Sequence, residues 1–234
     1  MSSGRLISFA RGVRLKNNKT NPKFLGRDKY HYLQTYNQLL TFIRYFPIMV
    51  KIRLDNDMNK LRNLTELANK TVKFGHFGIF TAEDLALLLN TPANHSFNKY
   101  LHKAVKAGVL RKVARGLYYC PSAGMKAKGV LEYIAKLLRW NHFMYISLES
   151  QLSHTGRISQ LPIKRLTVMT TGRSNVVETP FGVIEFTHTG RDPDGLIDEL
   201  YFDAEVGMFR AKESCALRDL KRVGRNTHML DVGE

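Results

Sequence analysis

An α+β fold in two parts follows from three features of the sequence. Residues 94–120 combine a helical apolar stripe, a polar opposite side, a glycine stop and two β-prone runs around a tight turn. Upstream, leucines recur at helical spacing in two further stretches, so helix, helix, helix and ribbon fall within residues 58–120, the order of a winged helix-turn-helix. From Gly129 onward helical and strand-like segments interleave, which predicts a mixed α+β second domain.

Residues 1–57 carry Arg5, Arg11, Arg14, Lys16, Lys19 and Lys23 before the first acid, Asp28. A basic N-terminal extension, partly disordered or helical, is expected, with apolar residues over 28–54 suggesting a helix that ends near Pro47. It reads as an arm that follows DNA, or as an upstream extension with Met58 the physiological start. A transit peptide is disfavoured because residues 17–21 interrupt an amphipathic helix. Leu61, Leu64, Leu67, Ala68 and Val72 then give a first helix over 58–73, and residues 74–80, with Gly75 and Gly78, read as a loop or short strand. Thr81 is expected to cap a second helix, with Glu83 and Asp84 in its first turn and Leu85, Leu88 and Leu89 inward. After a turn at 90–94, Phe97, Leu101, Ala104 and Val105 form the buried stripe of a third helix, with Asn98, Lys99, His102, Lys103 and Lys106 opposite. Gly108 stops it, and runs 109–113 and 117–120 flank Ala114, Arg115 and Gly116. Tyr118 and Tyr119 alternate across a strand, so one is expected in the core and the other exposed.

Residues 121–128 read as a linker, and 129–234 as the second domain. Val130, Ile134, Leu137 and Leu138 mark a helix, residues 143–146 a strand, and Ser147 the cap of a helix running to Thr155. Strands are expected over 166–171 and 182–187, and a closing helix over 211–223 with Ala211, Leu217 and Leu220 inward and Gly224 as its stop.

The chain has 234 residues, 44% hydrophobic and 24% charged, an ordinary balance for a globular protein. Its formal charge of +16 is not ordinary and points to a polyanionic partner. Residues 1–57 hold 11 Lys and Arg against 3 Asp and Glu, residues 58–128 hold 12 against 3, and residues 129–234 hold 13 against 14. The first half is strongly basic and the second near neutral, so the two are expected to meet different partners. Cys120 and Cys215 lack disulfide or metal-ligand spacing, which fits a reducing, cytoplasmic setting and no metal site. The most apolar run, 39–50, is broken by Arg44 and Pro47 and falls short of the roughly 20 residues a bilayer needs, so no membrane partner is expected.

Double-stranded DNA is the expected partner of the third helix and the ribbon. Asn94, His95, Ser96, Asn98, Lys99 and His102 occupy the first turns, from which recognition helices read base edges. Lys103, Lys106, Arg111, Lys112 and Arg115 are placed to hold phosphates, with Arg115 able to enter a groove. Two alternatives stay open. Asp192, Asp194, Asp198, Glu199, Asp203 and Glu205, after Glu178 and Glu185, could hold Mg²⁺ in a nuclease, although no Glu-x-Lys follows a strand aspartate. A transcription factor with a ligand-sensing second domain is the other. No cofactor is expected, since no Gly-rich nucleotide loop is present, and no spacing supports a Ser/His/Asp or Cys/His catalytic set, so an enzyme is not expected.

Four runs, in this order, resemble the AbiEi family of bacterial antitoxins: Leu110 to Tyr118 around Arg111, Arg115 and Gly116; Tyr145 to Gly156 through Ser147, Glu149, Leu152 and His154; Phe181, Gly182, Glu185 and Phe186; and Glu213, Ala216, Leu217 and Asp219. The likeness spans residues 60–225. It implies a type IV toxin–antitoxin system in which an N-terminal winged helix represses the operon's own promoter at inverted repeats and a C-terminal domain counteracts a nucleotidyltransferase-like toxin. The charge balance assigns most DNA contact to residues 58–128, with a local basic patch at Arg218, Lys221, Arg222 and Arg225.

Overall fold

The structure is a computed structural model and describes residues 60–158 and 164–224. The basic segment 1–57, its expected helix and Arg225 lie outside the described residues. The described chain is a mixed α+β structure with two sheets.

The first part opens with helix α1 (Lys60–Lys73), which buries Leu64, Leu67 and Ala68 along one side. Strand β1 (Ile79–Thr81) leads into helix α2 (Ala82–Leu88). Here the expected cap is present in full: Asp84 N–H donates to Thr81 Oγ1 at 3.1 Å and Thr81 N–H to Asp84 Oδ2 at 2.8 Å. Helix α3 (His95–Lys106) follows after residues 89–94, with Asn94 Oδ1 accepting the Phe97 N–H at 3.0 Å. Its Phe97, Leu101 and Ala104 pack against Leu85, Leu88 and the α1 leucines. Strands β2 (Arg111–Ala114) and β3 (Leu117–Tyr119) form a hairpin with a register shift between Lys112 and Ala114. Gly116 takes the positive φ of 75° that the tight turn requires. The three strands run β1-β3-β2.

The second part is a six-stranded mixed sheet in the order β6-β7-β5-β4-β9-β8. Its strands are β4 (Met144–Ile146), β5 (Arg165–Thr170), β6 (Asn175–Thr179), β7 (Gly182–His188), β8 (Leu200–Asp203) and β9 (Met208–Ala211). Helix α4 (Val130–Leu138) covers one face; α5 (Leu148–His154) and α7 (Glu213–Val223) cover the other. A short α6 (Pro193–Leu196) precedes β8. In β4 the alternation is visible directly, Met144 and Ile146 joining the α4 side while Phe143 and Tyr145 join the other.

Three expectations are corrected. Ser147 precedes α5 but does not cap it with its side chain, because its hydroxyl donates to Asp219 Oδ2 at 2.8 Å. Thr167 Oγ1 of β5 accepts the Ser150 N–H instead, at 3.0 Å. Ala211 ends β9 rather than opening the last helix, and buried Asp219 lies on that helix's inward side. Neither Tyr118 nor Tyr119 is exposed, since β3 is a middle strand with a core on each face: Tyr118 packs with the helices, Tyr119 with the second part.

The two parts meet in a continuous apolar cluster. Ile79, Val113 and Leu117 of the three-stranded sheet are buried with Val130, Tyr133 and Ile134 of α4 and with Ile184 and Phe186 of β7. Phe77 stacks on Tyr133 at 4.4 Å. Gly78 lies so close to the 124–125 backbone that a Cβ there would sit 2.8 Å from the Gly124 carbonyl oxygen. Buried His76 is wedged in this joint, stacked on Phe80 at 4.5 Å. The Gly78 N–H donates to its Nδ1 at 3.1 Å, which leaves the proton on Nε2 to donate to Tyr133 OH at 3.2 Å.

Burial, aided by Lys126, lowers the His76 pKa from 6.5 to about 4. The unfolded chain therefore binds a proton between pH 6.5 and 4 that the folded chain does not, and stability is lost on acidification through that window, by ~3 kcal/mol at its lower end. Urea midpoints measured across it should fall more steeply for the wild type than for His76→Gln. Thr81→Ala, which removes the α2 cap, should cost about 1 kcal/mol at neutral pH.

Candidate nucleic-acid interface

Helix α3 owes its two-sidedness to the spacing of its apolar residues. At 100° per residue Phe97, Leu101 and Ala104 point to the core, while His95, Ser96, Asn98, Lys99, His102, Lys103 and Lys106 fall within an opposite arc of about 160°. All seven are exposed, as are Asn94 at the helix start and Arg111, Lys112 and Arg115 on the hairpin. The sequence contains no acidic residue from 85 to 131. None of the six Lys and Arg side chains in this set forms an ion pair with a carboxylate among the described residues. A displayed, unneutralised cationic surface attracts a polyanion.

Asn94 differs from the others because its Oδ1 is already engaged by the Phe97 N–H, so only its amide nitrogen is left for an outside acceptor. Beside the first turns of α3 lies a shallow cleft of about 230 Å³ bounded by Leu89, Pro92, Asn94, Ser96, Phe97 and Tyr100. Burial there raises the Tyr100 pKa to about 12. Tyr100 gave no sequence signal as a surface-lining residue, because its helical position borders the apolar stripe.

The second part carries a different kind of polar cluster. Asp219 is fully buried on α7 and accepts from Tyr145 OH at 3.0 Å and Ser147 Oγ at 2.8 Å, with Arg191 Nη1 at 3.5 Å. Arg191 also holds Glu199 at 2.8 Å, and Arg218 reaches the same carboxylate. The Arg191 hydrogen bond is the main cause that holds the Glu199 pKa down at about 2. Burial, then Asp219, push the Cys215 thiol up to about 11, so at neutral pH it is a thiol and not a nucleophilic thiolate. Arg210 bonds Asp203 at 2.6 Å and Gln151 at 3.4 Å, and Gln151 donates to Tyr201 OH at 3.1 Å. Acidic residues grouped in sequence at 192–205 are thus drawn apart: Asp203 to Arg210, Glu199 to Arg191, Glu205 to Lys128, and Asp192 to the start of α6. Among the described residues no three His, Cys, Asp or Glu side chains gather where they could hold a metal ion.

Of the expected basic patch, Arg218, Lys221 and Arg222 are exposed on α7, but Arg218 is committed to Glu199. No helix among the described residues is long and apolar enough to cross a membrane.

Residues 73–121 match the family described as "Transcriptional regulator, AbiEi antitoxin", which bears out the resemblance over the end of α1, α2, α3 and the hairpin. The other three runs that carry the likeness in sequence lie outside the matched segment. No curated protein matches the chain. Among solved structures, that of the RV2827C protein from Mycobacterium tuberculosis is similar at 15% identity and a TM-score of 0.41, covering 63% of this chain and 51% of that one. The chain thus spans about half the length of that protein.

The Asp219 cluster makes its own prediction. Asp219→Ala leaves Tyr145 and Ser147 without their acceptor and Arg191 without one of its two carboxylates, and should cost about 3–5 kcal/mol in urea unfolding. A substitution at exposed Lys221 should change the same midpoint by less than about 0.5 kcal/mol.

Proposed function

We propose that this chain is the antitoxin of a type IV toxin–antitoxin system: a DNA-binding transcriptional autorepressor that also counteracts a nucleotidyltransferase-like toxin. In this assignment residues 58–120 form a winged helix-turn-helix domain, 121–128 join it to the rest, and 129–234 form the antitoxin domain. The observation that carries it is the unneutralised polar and cationic arc of α3, continued by the hairpin, within a segment that matches a family of transcriptional regulators.

The chemistry follows from that arc. With α3 in the major groove, Asn98 pairs with adenine edges and Lys99 with guanine edges, while His95, Ser96 and His102 make further polar contacts. Asn94 offers its amide nitrogen while capping the helix. Lys103, Lys106, Arg111 and Lys112 hold phosphates on either side, and Arg115, at the exposed hairpin turn, reaches the backbone or the minor groove. The near-neutral second domain acts on the toxin.

Binding of the full chain to a duplex carrying the sequence upstream of its own gene tests the DNA part. If about six phosphates are neutralised, log K should fall with log salt at a slope of roughly −5. Lys99→Ala with Arg115→Ala should weaken that binding and make the slope shallower by about 1 to 2, yet leave protection of toxin-arrested cells intact. A slope near zero for the wild type would exclude the duplex as the partner.

A further inference from the structure

Phe181, in the turn between β6 and β7, reaches out of the second part to touch the hairpin. Its ring meets Tyr119 edge to face at 5.1 Å, and Tyr119 sits opposite Arg111 across β3 and β2. The turn has little freedom. Thr179 Oγ1 donates to the Gly182 carbonyl at 2.7 Å and accepts the Phe181 N–H at 3.2 Å. Gly182 holds φ at 144°, and a Cβ there would overlap the Lys164 carbonyl oxygen. Strand β6 also runs beside β2, the outer strand of the hairpin.

The hairpin is bonded only to the three-residue strand β1, a sheet too small to hold its pose unaided, so that pose is set by what its faces pack on. One face of this ribbon, through Val113 and Leu117, lies in the cluster shared with β7 and α4. Arg111 and Lys112 at the start of β2, and Arg115 in the turn that follows it, are exposed to solvent. We infer that Phe181 is a positioning residue for nucleic-acid binding: from the second part it fixes the angle of the hairpin so that Arg111, Lys112 and Arg115 reach the backbone while α3 occupies the groove. This rests on the proposed DNA-binding function and adds to it that the second part, through Phe181, sets how many phosphates the first part neutralises.

The test uses the full chain, the same upstream duplex and a salt series read by fluorescence anisotropy. Phe181→Ala should bind about tenfold more weakly at low salt and show a slope shallower by roughly 2, as expected when two phosphate contacts are lost. Phe181→Tyr, which keeps the ring, should retain the wild-type slope. In an Arg111→Ala/Lys112→Ala/Arg115→Ala background the added Phe181→Ala should change neither affinity nor slope. An affinity loss with an unchanged slope, an equal loss in the hairpin-charge background, or no loss at all overturns the inference. If Phe181→Ala fails to fold, Phe181→Leu, which keeps apolar volume without the ring edge, is read in its place against the same outcomes. A wild type without salt-dependent duplex binding fails before any substitution is made, and that failure belongs to the DNA-binding proposal.

Discussion

Burial of Ile79, Val113 and Leu117 against α4 and the β7 face is the constraint on which the rest of the molecule depends. The three-stranded sheet has helices on one face and this second contact on the other, so neither face is left in water. Removing any one of those side chains to Ala would cost about 2–4 kcal/mol by the lost transfer energy and the cavity left behind. The loops that cross the joint add polar specificity, with His76 satisfied from both ring nitrogens and Gly78 packed against the 124–125 backbone. A cut between the parts would expose this cluster to water. The two proposed activities are therefore best separated by surface substitutions.

Electrostatics divide the molecule more sharply than packing does. In the second part five of the eight described arginines face carboxylates of the same part: Arg210 with Asp203, Arg191 with Glu199 and Asp219, Arg218 with Glu199, Arg165 with Glu185, Arg157 with Glu213. These pairs cancel at short range and leave little field outside. The cations of α3 and the hairpin have no such partners among the described residues, and the sequence around them has no acid over residues 85–131. The net basic charge of the described chain is thus concentrated where the polar helix face lies.

Much of the first part was legible in the sequence because its signals are local. Leucine spacing, the Thr81 cap, Gly108 and the Arg115-Gly116 turn each act within a few residues, and the structure places helices and hairpin accordingly. The second part was less legible because its edge strands depend on distant neighbours. Strand β6 is mostly exposed and pairs with β7, and β8 and β9 are four residues each, recognisable only through pairing with each other and of β9 with β4. The cap expected at Ser147 fails for the same reason: a serine before a helix reads as a cap, until its hydroxyl is seen to donate to Asp219 on α7, more than seventy residues on. The polar side of α3 was read residue by residue from periodicity, whereas the service of Asn94 as a cap and the support from Phe181 required coordinates.

The shared cluster makes the two parts one cooperative unit, and hydrogen exchange along a urea series measures this most directly. Amides of residues 97–119 and of strands β4, β5 and β7 should lose protection at one common urea concentration, coincident with the fluorescence change of the single tryptophan, Trp140, in the second part. Loss of protection in the helices and hairpin at a clearly lower urea concentration, with the six-stranded sheet still intact, would contradict it.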